Sequence, residues 1–170
     1  MVMETEFQTF ASTRKSLADQ MLVFALDEHR YALRLYSVKR IVRIPEITVL
    51  PHAPEIVLGL VTVQGKVIPV INIRKRFGLS HRDLDVSNHL VIAYTSHRNV
   101  GLVVDMAIGV IERTEEVAIA AARICPSLNY VEGVVKLDGE LVLIHNLDMF
   151  LSLEEERVLE QEMARTLESR

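Results

Sequence analysis

The feature that most constrains this chain is an internal repeat. "GLVTVQGKVIPVINIRKRF", starting at Gly59, lines up with "GVVKLDGELVLIHNLDMFL", starting at Gly133, at an offset of 74 residues. Gly59 meets Gly133, Gly65 meets Gly139 and Asn72 meets Asn146, while apolar residues keep phase at Leu60/Val134, Val63/Leu137, Val67/Leu141, Val70/Ile144 and Phe77/Leu151. Upstream, "YALRLYSVKRIV" matches "VGLVVDMAIGVI" at an offset of 69, with Leu33/Leu102, Leu35/Val104 and Ile41/Val110 aligned. The chain therefore reads as two similar halves, about 20–85 and 86–151.

Each half opens on a β-rich pair with turn residues in the middle, "MLVFALDEHRYALRL" or "HLVIAYTSHRNVGLVVD". An irregular stretch with breakers follows, then a glycine-centred hairpin and a short helix. Several short strands separated by turns predict a mainly β fold of two small barrels. A half of about 65 residues has a marginal core of its own, so the two are expected to pack together and leave a groove between them. Gly65 and Gly139 sit where a tight hairpin wants positive φ. Pro69 inside a strand predicts an edge or bulge, because proline donates no ladder hydrogen bond. The C-terminal stretch, residues 153–170, reads as an acidic helix. Ser152 and Glu155 stand at capping-box spacing before it, and Leu159, Met163 and Leu167 form a stripe to pack on the body.

Composition excludes several classes. A 170-residue chain with 49% apolar and 25% charged residues is an ordinary globular one, and a net charge of -4 argues against bulk attraction to nucleic acid. Basic clusters, "RYALRLYSVKRIVR" and "RKRFG", are local and read as solvated surface. Cys125 is the only cysteine, so there is no disulfide framework, and a reducing, cytoplasmic setting is expected. The tail 1–19 carries Glu4 and Glu6 where a signal peptide needs a basic start, and "IVLGLVTV" is far short of the roughly 20 residues of a membrane span.

The search for chemistry returns nothing catalytic. There is no G-x-S-x-G, P-loop, G-x-G-x-x-G or H-E-x-x-H. His29, His52, His81, His89, His97 and His145 are scattered over predicted turns without zinc-site spacing. Asp27, Glu28 and Asp105 fall near strand ends, in ordinary turn and solvation positions. No catalytic residue, metal or cofactor is expected. Apolar surface in a chain without catalytic groups suggests binding.

Taken together, "LVFALDEHRYALRLYSVKRIV", "LPHAPEIVLGLVTVQGKVIPVINIRKRFGL", "VGLVVDMAIGVI" and "VEGVVKLDGELVLIHNLDMFL" resemble the CheW family of chemotaxis coupling proteins over about residues 20–152. The resemblance implies two five-stranded SH3-like barrels. It also implies a non-enzymatic adaptor joining chemoreceptor cytoplasmic tips to the regulatory domain of a CheA-type histidine kinase, monomeric outside arrays and not itself inserted in the membrane. Carried over by position, the family's contacts fall on Val38, Gly59 and the hairpin around Gly65 in the first half, and on Ile108 and Ile111 in the second. Two positions depart from the pattern. Arg40 stands where the family usually has Glu, and Gln64 where it has Arg. If the family pair forms an ion pair, losing both members leaves no unmatched charge. Such a change suits a paralogue in another chemosensory-type pathway, such as one controlling pili, or an array competitor. An enzyme or small-ligand sensor using the inter-half groove is the alternative from another class, and it requires convergent polar groups there.

Overall fold

The computed structural model describes residues 20–112, 116–117 and 130–169. The tail 1–19 and Cys125 lie outside the described residues. Eleven strands run in the order β1 Gln20–Leu26, β2 His29–Arg34, β3 Val38–Arg43, β4 Val57–Val63, β5 Lys66–Ile71, β6 His89–Tyr94, β7 Asn99–Val104, β8 Met106–Glu112, β9 Glu116–Val117, β10 Val131–Leu137 and β11 Glu140–His145. Among the described residues two helices accompany them, α1 Ile73–Arg76 and α2 Leu153–Glu168, with 3₁₀ turns at Leu35–Ser37 and Leu147–Met149.

Hairpin chemistry fixes the local pairings. In β4–β5 and β10–β11 the two-residue loops are Gln64-Gly65, with φ of 50° and 75°, and Asp138-Gly139, with φ of 50° and 80°. Two successive positive φ values give the turn whose twist matches that of the flanking strands. Both hairpins carry a register shift at the same place in the repeat, between Val57 and Gly59 and between Val131 and Gly133. The asparagines that align in the repeat do the same work twice. Asn72 accepts from the Lys75 N–H and Asn146 from the Asp148 N–H, each stopping a strand and starting a helical turn.

The strands form one sheet in the order β8-β1-β2-β11-β10-β9 and a second in the order β3-β6-β7-β5-β4. These are the two small barrels the repeat predicts, SH3-like as the resemblance implies, but their boundary is not the boundary between sequence halves. The 20–85 half gives β1 and β2 to the first sheet and β3, β4 and β5 to the second. The 86–151 half gives β6 and β7 to the second sheet and the rest to the first. Each repeat has thus handed its leading hairpin to the other, which takes it through antiparallel pairs β1–β8 and β3–β6 and parallel pairs β2–β11 and β5–β7.

Three apolar clusters follow from this exchange. Met21, Ala32, Val135, Val142 and Ile144 fill the first sheet's own interior, and Val61, Ile68, Val70, Leu90 and Ile92 fill the second's. The largest cluster lies between the sheets and draws on both, with Leu22, Phe24 and Leu33 meeting Leu60, Ile71, Val91 and Leu102, closed by Leu147, Phe150 and Leu159. Each fully buried side chain of this size is worth about 1.5–3 kcal/mol.

Pro69 lies in a central strand, against the simple expectation of an edge. The pair flanking a two-residue loop, here Val63 with Lys66, exchanges hydrogen bonds and pairs alternate from there, so Pro69 opposite Leu60 turns its nitrogen away from β4. On that side the pairing with β7 covers only Val70 and Ile71. The missing N–H therefore costs no ladder bond. The capping box at Ser152 and Glu155 is formed, Leu159 is fully buried and Met163 packs on the shared core, while Leu167 stays 46% exposed. The stripe docks over two turns and then leaves the body.

Hairpin exchange makes a specific demand on fragments. Residues 1–85 and 86–170, expressed separately, should each show little cooperative unfolding in urea, because each lacks strands of both sheets. Mixed in equal amounts, they should recover the far-ultraviolet circular dichroism and the unfolding transition of the intact chain. Cooperative folding of either fragment alone would contradict the exchange.

Candidate functional site

Two features clamp the junction of the barrels. The first is ionic. Arg74, on α1 of the second barrel, donates to both Asp27 carboxylate oxygens at 3.0 and 2.7 Å and to Asp105 at 2.7 Å. Asp27 turns the β1–β2 hairpin and Asp105 joins β7 to β8, so one guanidinium ties three chain segments. The Asp27 backbone N–H also donates to Asp105, at 2.6 Å, and Arg82 closes the cluster from outside with a 3.0 Å contact to Asp105. The hydrogen bond from Arg74 holds the Asp27 carboxyl below its ordinary pKa, and the same bond raises that of Arg74. Sequence reasoning placed Asp27 and Asp105 in ordinary turn roles. Their convergence on Arg74 depends on non-local pairing and left no local signal.

The second feature is aromatic. His145, at the end of β11, is 3% exposed and stacks on Phe77 with centroids 4.3 Å apart. Tyr31, Tyr130 and Phe150 complete its surroundings at 5.4, 5.6 and 6.1 Å. Neither ring nitrogen has a hydrogen-bond partner among the described residues. Burial pushes its pKa down from 6.5 to about 3, so the ring is neutral in the fold.

The residues expected to meet partners divide into three groups. Ile108 is 49% exposed and sits at a bulge in β8, flanked by Met106 and Val110 at 56% and 52% exposure. This apolar stripe lies on the edge strand of the first sheet. Val38 and Arg40 lie on β3, the edge of the second sheet, with Val38 packed against the shared core and Arg40 half-buried. The two edges meet at His89, which pairs with Arg43 of β3 and accepts the Ala107 N–H of β8 on Nδ1 at 3.0 Å. His89 passed as a scattered turn histidine in the sequence; it is a strand residue bracing both edges. Gln64 and Gly65 are exposed at the β4–β5 tip, at the other end of the sheet order from Arg40. No hydrogen bond or ion pair joins Arg40 to Gln64 among the described residues.

The remaining two positions are more enclosed. Gly59 is buried, and a Cβ there would lie 2.3 Å from the backbone oxygen of Thr48, which pairs with Leu60 across the open edge of β4. It is a close-approach glycine that lets residue 48 seal that edge. Ile111 is half-buried and packs against the interior of the first sheet, on the same side as Met21. Gly59 offers no side chain to a partner, and Ile111 offers only the part of its side chain left outside the interior.

The described residues contain no group of three or more His, Cys, Asp or Glu placed to hold a metal, and no helix among them is long and apolar enough to cross a membrane. A family model for the CheW-like domain matches residues 20–155. The chain belongs to the CheW-like domain family. It is 28% identical over 143 residues to the chemotaxis protein CheW of Thermotoga maritima, covering 81% of this chain and 93% of that one. It is 23% identical over 135 residues to a probable chemotaxis protein CheW of Rhizobium etli, covering 78% and 87%. The crystal structure of the scaffolding protein TtCheW from Thermoanaerobacter tengcongensis superposes with a TM-score of 0.71 at 28% identity, covering 81% of this chain and 90% of that one. The match to that fold spans both barrels, as the strand exchange requires.

Two outcomes test this assignment of roles. Gly59→Ala should lower stability by about 1–3 kcal/mol, the usual cost of forcing an atom into packed backbone, as read by urea unfolding. Because the folded pKa of His145 lies below the unfolded one, its neutral burial contributes fully above about pH 6.5 and is lost as pH falls toward 3. Between pH 7.5 and 5.5 it should remove about 1.4 kcal/mol, and His145→Phe should remove that part of the pH dependence. An unchanged slope in the variant would show that the ring titrates freely.

Proposed function

We propose that the chain is a non-enzymatic adaptor that couples a chemoreceptor's cytoplasmic tip to the regulatory domain of a CheA-type histidine kinase, in the cytoplasm beneath a receptor array. Family membership supports the signalling class, and the observation that carries the reading is the exposed stripe Met106, Ile108 and Val110. Three apolar side chains, each about half in water, are carried by one edge strand, and the bulge between them spreads this exposed apolar surface over both its faces, where its burial drives association. Beside it the β3 edge, braced by the same His89, gives the adjoining surface an adaptor needs for a second partner.

A cavity of about 330 Å³ lies in the groove lined by Leu58, Arg74, Arg82, Asn88, Val103 and Asp105, among others. It has the convergent polar groups that a small-ligand reading requires. Much of that polarity is already engaged: both terminal nitrogens of Arg74 donate to Asp27, Asp105 or the Ser80 carbonyl, and the Asn88 side-chain oxygen accepts from the Asp85 N–H. A ligand recognised through Arg74 would compete with its internal ion pairs. The groove is better explained as the outer face of the barrel clamp.

Ile108→Arg should weaken binding to a CheA-type kinase regulatory domain or a receptor-tip fragment by about 2 kcal/mol, near thirtyfold, with circular dichroism and thermal midpoint unchanged. Val38→Arg, by contrast, should lower the thermal midpoint, since Val38 packs on the shared core. If folded Ile108→Arg binds both partners as tightly as the parent, the β8 stripe is not an adaptor surface.

A further inference from the structure

The four sheet edges are not equivalent. Residue Thr48 covers β4 through a two-way backbone bridge to Leu60, at 2.8 and 2.7 Å. The β8 edge is broken by the bulge at Ile108, and β9 is two residues long. The β3 edge has its own register shift at Lys39, but from Arg40 to Arg43 it runs in regular pairing with β6, and among the described residues no strand pairs with its other side.

This open edge is also where the chain concentrates unmatched positive charge. Lys39, Arg40 and Arg43 make no ion pair among the described residues; Lys39 rests over the Tyr94 ring at 5.5 Å. Other cations of the molecule are mostly neutralised: Arg30 by Glu140, Arg74 by Asp27, Arg76 by Glu155, and Arg98 by Glu156. The strand that pairs with β3, His89–Tyr94, contains no Asp or Glu, and the following Glu46 does not reach back to form a pair. Between the cations, Ile41 is 41% exposed, and Tyr36 just before β3 is 59% exposed. Three cations within five residues, on a molecule of net charge -4, do not follow from bulk composition.

From this we infer that β3 is a docking edge for an extended acidic segment of a protein partner, which adds to the second sheet as a sixth strand. Backbone N–H and C=O groups of residues 40–43 supply the affinity common to any added strand, and the side chains choose the partner. Carboxylates opposite Lys39 and Arg43 meet them as cross-strand ion pairs, and an apolar residue between them covers Ile41. A basic segment is repelled by the same charges. Edge lysines and arginines also serve as a simple block against aggregation. A block needs only charge of either sign and predicts no strand addition, which separates the two roles. The inference takes from the adaptor reading only that the partner is a protein.

The test uses the full chain, ¹⁵N-labelled, with a fluorescein-labelled peptide of alternating glutamate and valine, and its lysine–valine counterpart as control. The acidic peptide should bind by anisotropy at 50 mM salt, weaken about tenfold or more in Lys39→Glu/Arg43→Glu, and weaken at 300 mM salt. Its binding should slow amide exchange at residues 40–43. Equal binding of the two peptides, no binding of either, or binding without amide protection would overturn the inference. So would binding of the chain to phosphatidylglycerol vesicles in place of the acidic peptide. Kinase binding by the parent, and its loss in Ile108→Arg, reports on the adaptor reading separately, so either can fail while the other stands.

Discussion

Neither repeat can bury its own apolar strands, and everything else in the molecule depends on how that is resolved. The leading hairpin of each repeat leaves its own barrel and completes the other. Leu22, Phe24 and Leu33, carried by the exchanged β1–β2, then face Val91 and Leu102, carried by the exchanged β6–β7, across the largest cluster. A core of this kind is paid in long-range contacts, because no stretch of one repeat supplies both sides of it. The barrels are therefore one cooperative unit, and a surface on either is held by residues from both.

The ionic and aromatic clamps make sense on that footing. A shared apolar core fixes distance between two sheets poorly in angle, since hydrophobic contact has no direction. Arg74 adds direction: its planar fork meets Asp27 through both nitrogen-bound contacts and reaches Asp105 as well, so sliding one barrel against the other strands a largely buried charge. On the other flank Phe77, Tyr130 and Phe150 pack around His145, giving a rigid polyaromatic wedge between α1 and the end of β11. The neutral imidazole spends its hydrogen-bonding capacity for shape.

What was legible in the sequence was whatever is written locally. The two glycine turns, the asparagine caps, the capping box at Ser152 and the strand content all rest on residues a few positions apart. The repeat itself disclosed two barrels. It could not disclose the exchange, because a repeat of five strands is the same string whether the strands stay home or swap. For the same reason Arg74 looked like part of a solvated basic cluster, and Asp27 and Asp105 like turn acids 78 residues apart. Gly59 and Ile111 entered as contacts carried over by resemblance, and alternation identifies a strand's two faces without saying which is covered. Ile108 came by the same route, and the bulge that leaves it half in water is set by its pairing with β1, which the sequence does not show.

The departures at Arg40 and Gln64 illustrate how the fold changes the meaning of a substitution. Read along the sequence, a lost Glu and a lost Arg suggest one vanished ion pair. In the fold, Arg40 belongs to an open edge shared with Lys39 and Arg43, and Gln64 to a turn whose positive φ already favours a small set of residues. Placing Arg40 between two other cations shifts that edge by two charge units relative to a glutamate, which strengthens its attraction for acidic segments, and the change acts without any contribution from Gln64. Charge at an open edge governs selection and encounter more than the strength of a strand pairing. The backbone of β3 can thus stay a general acceptor of extended segments while three side chains decide which segments stay.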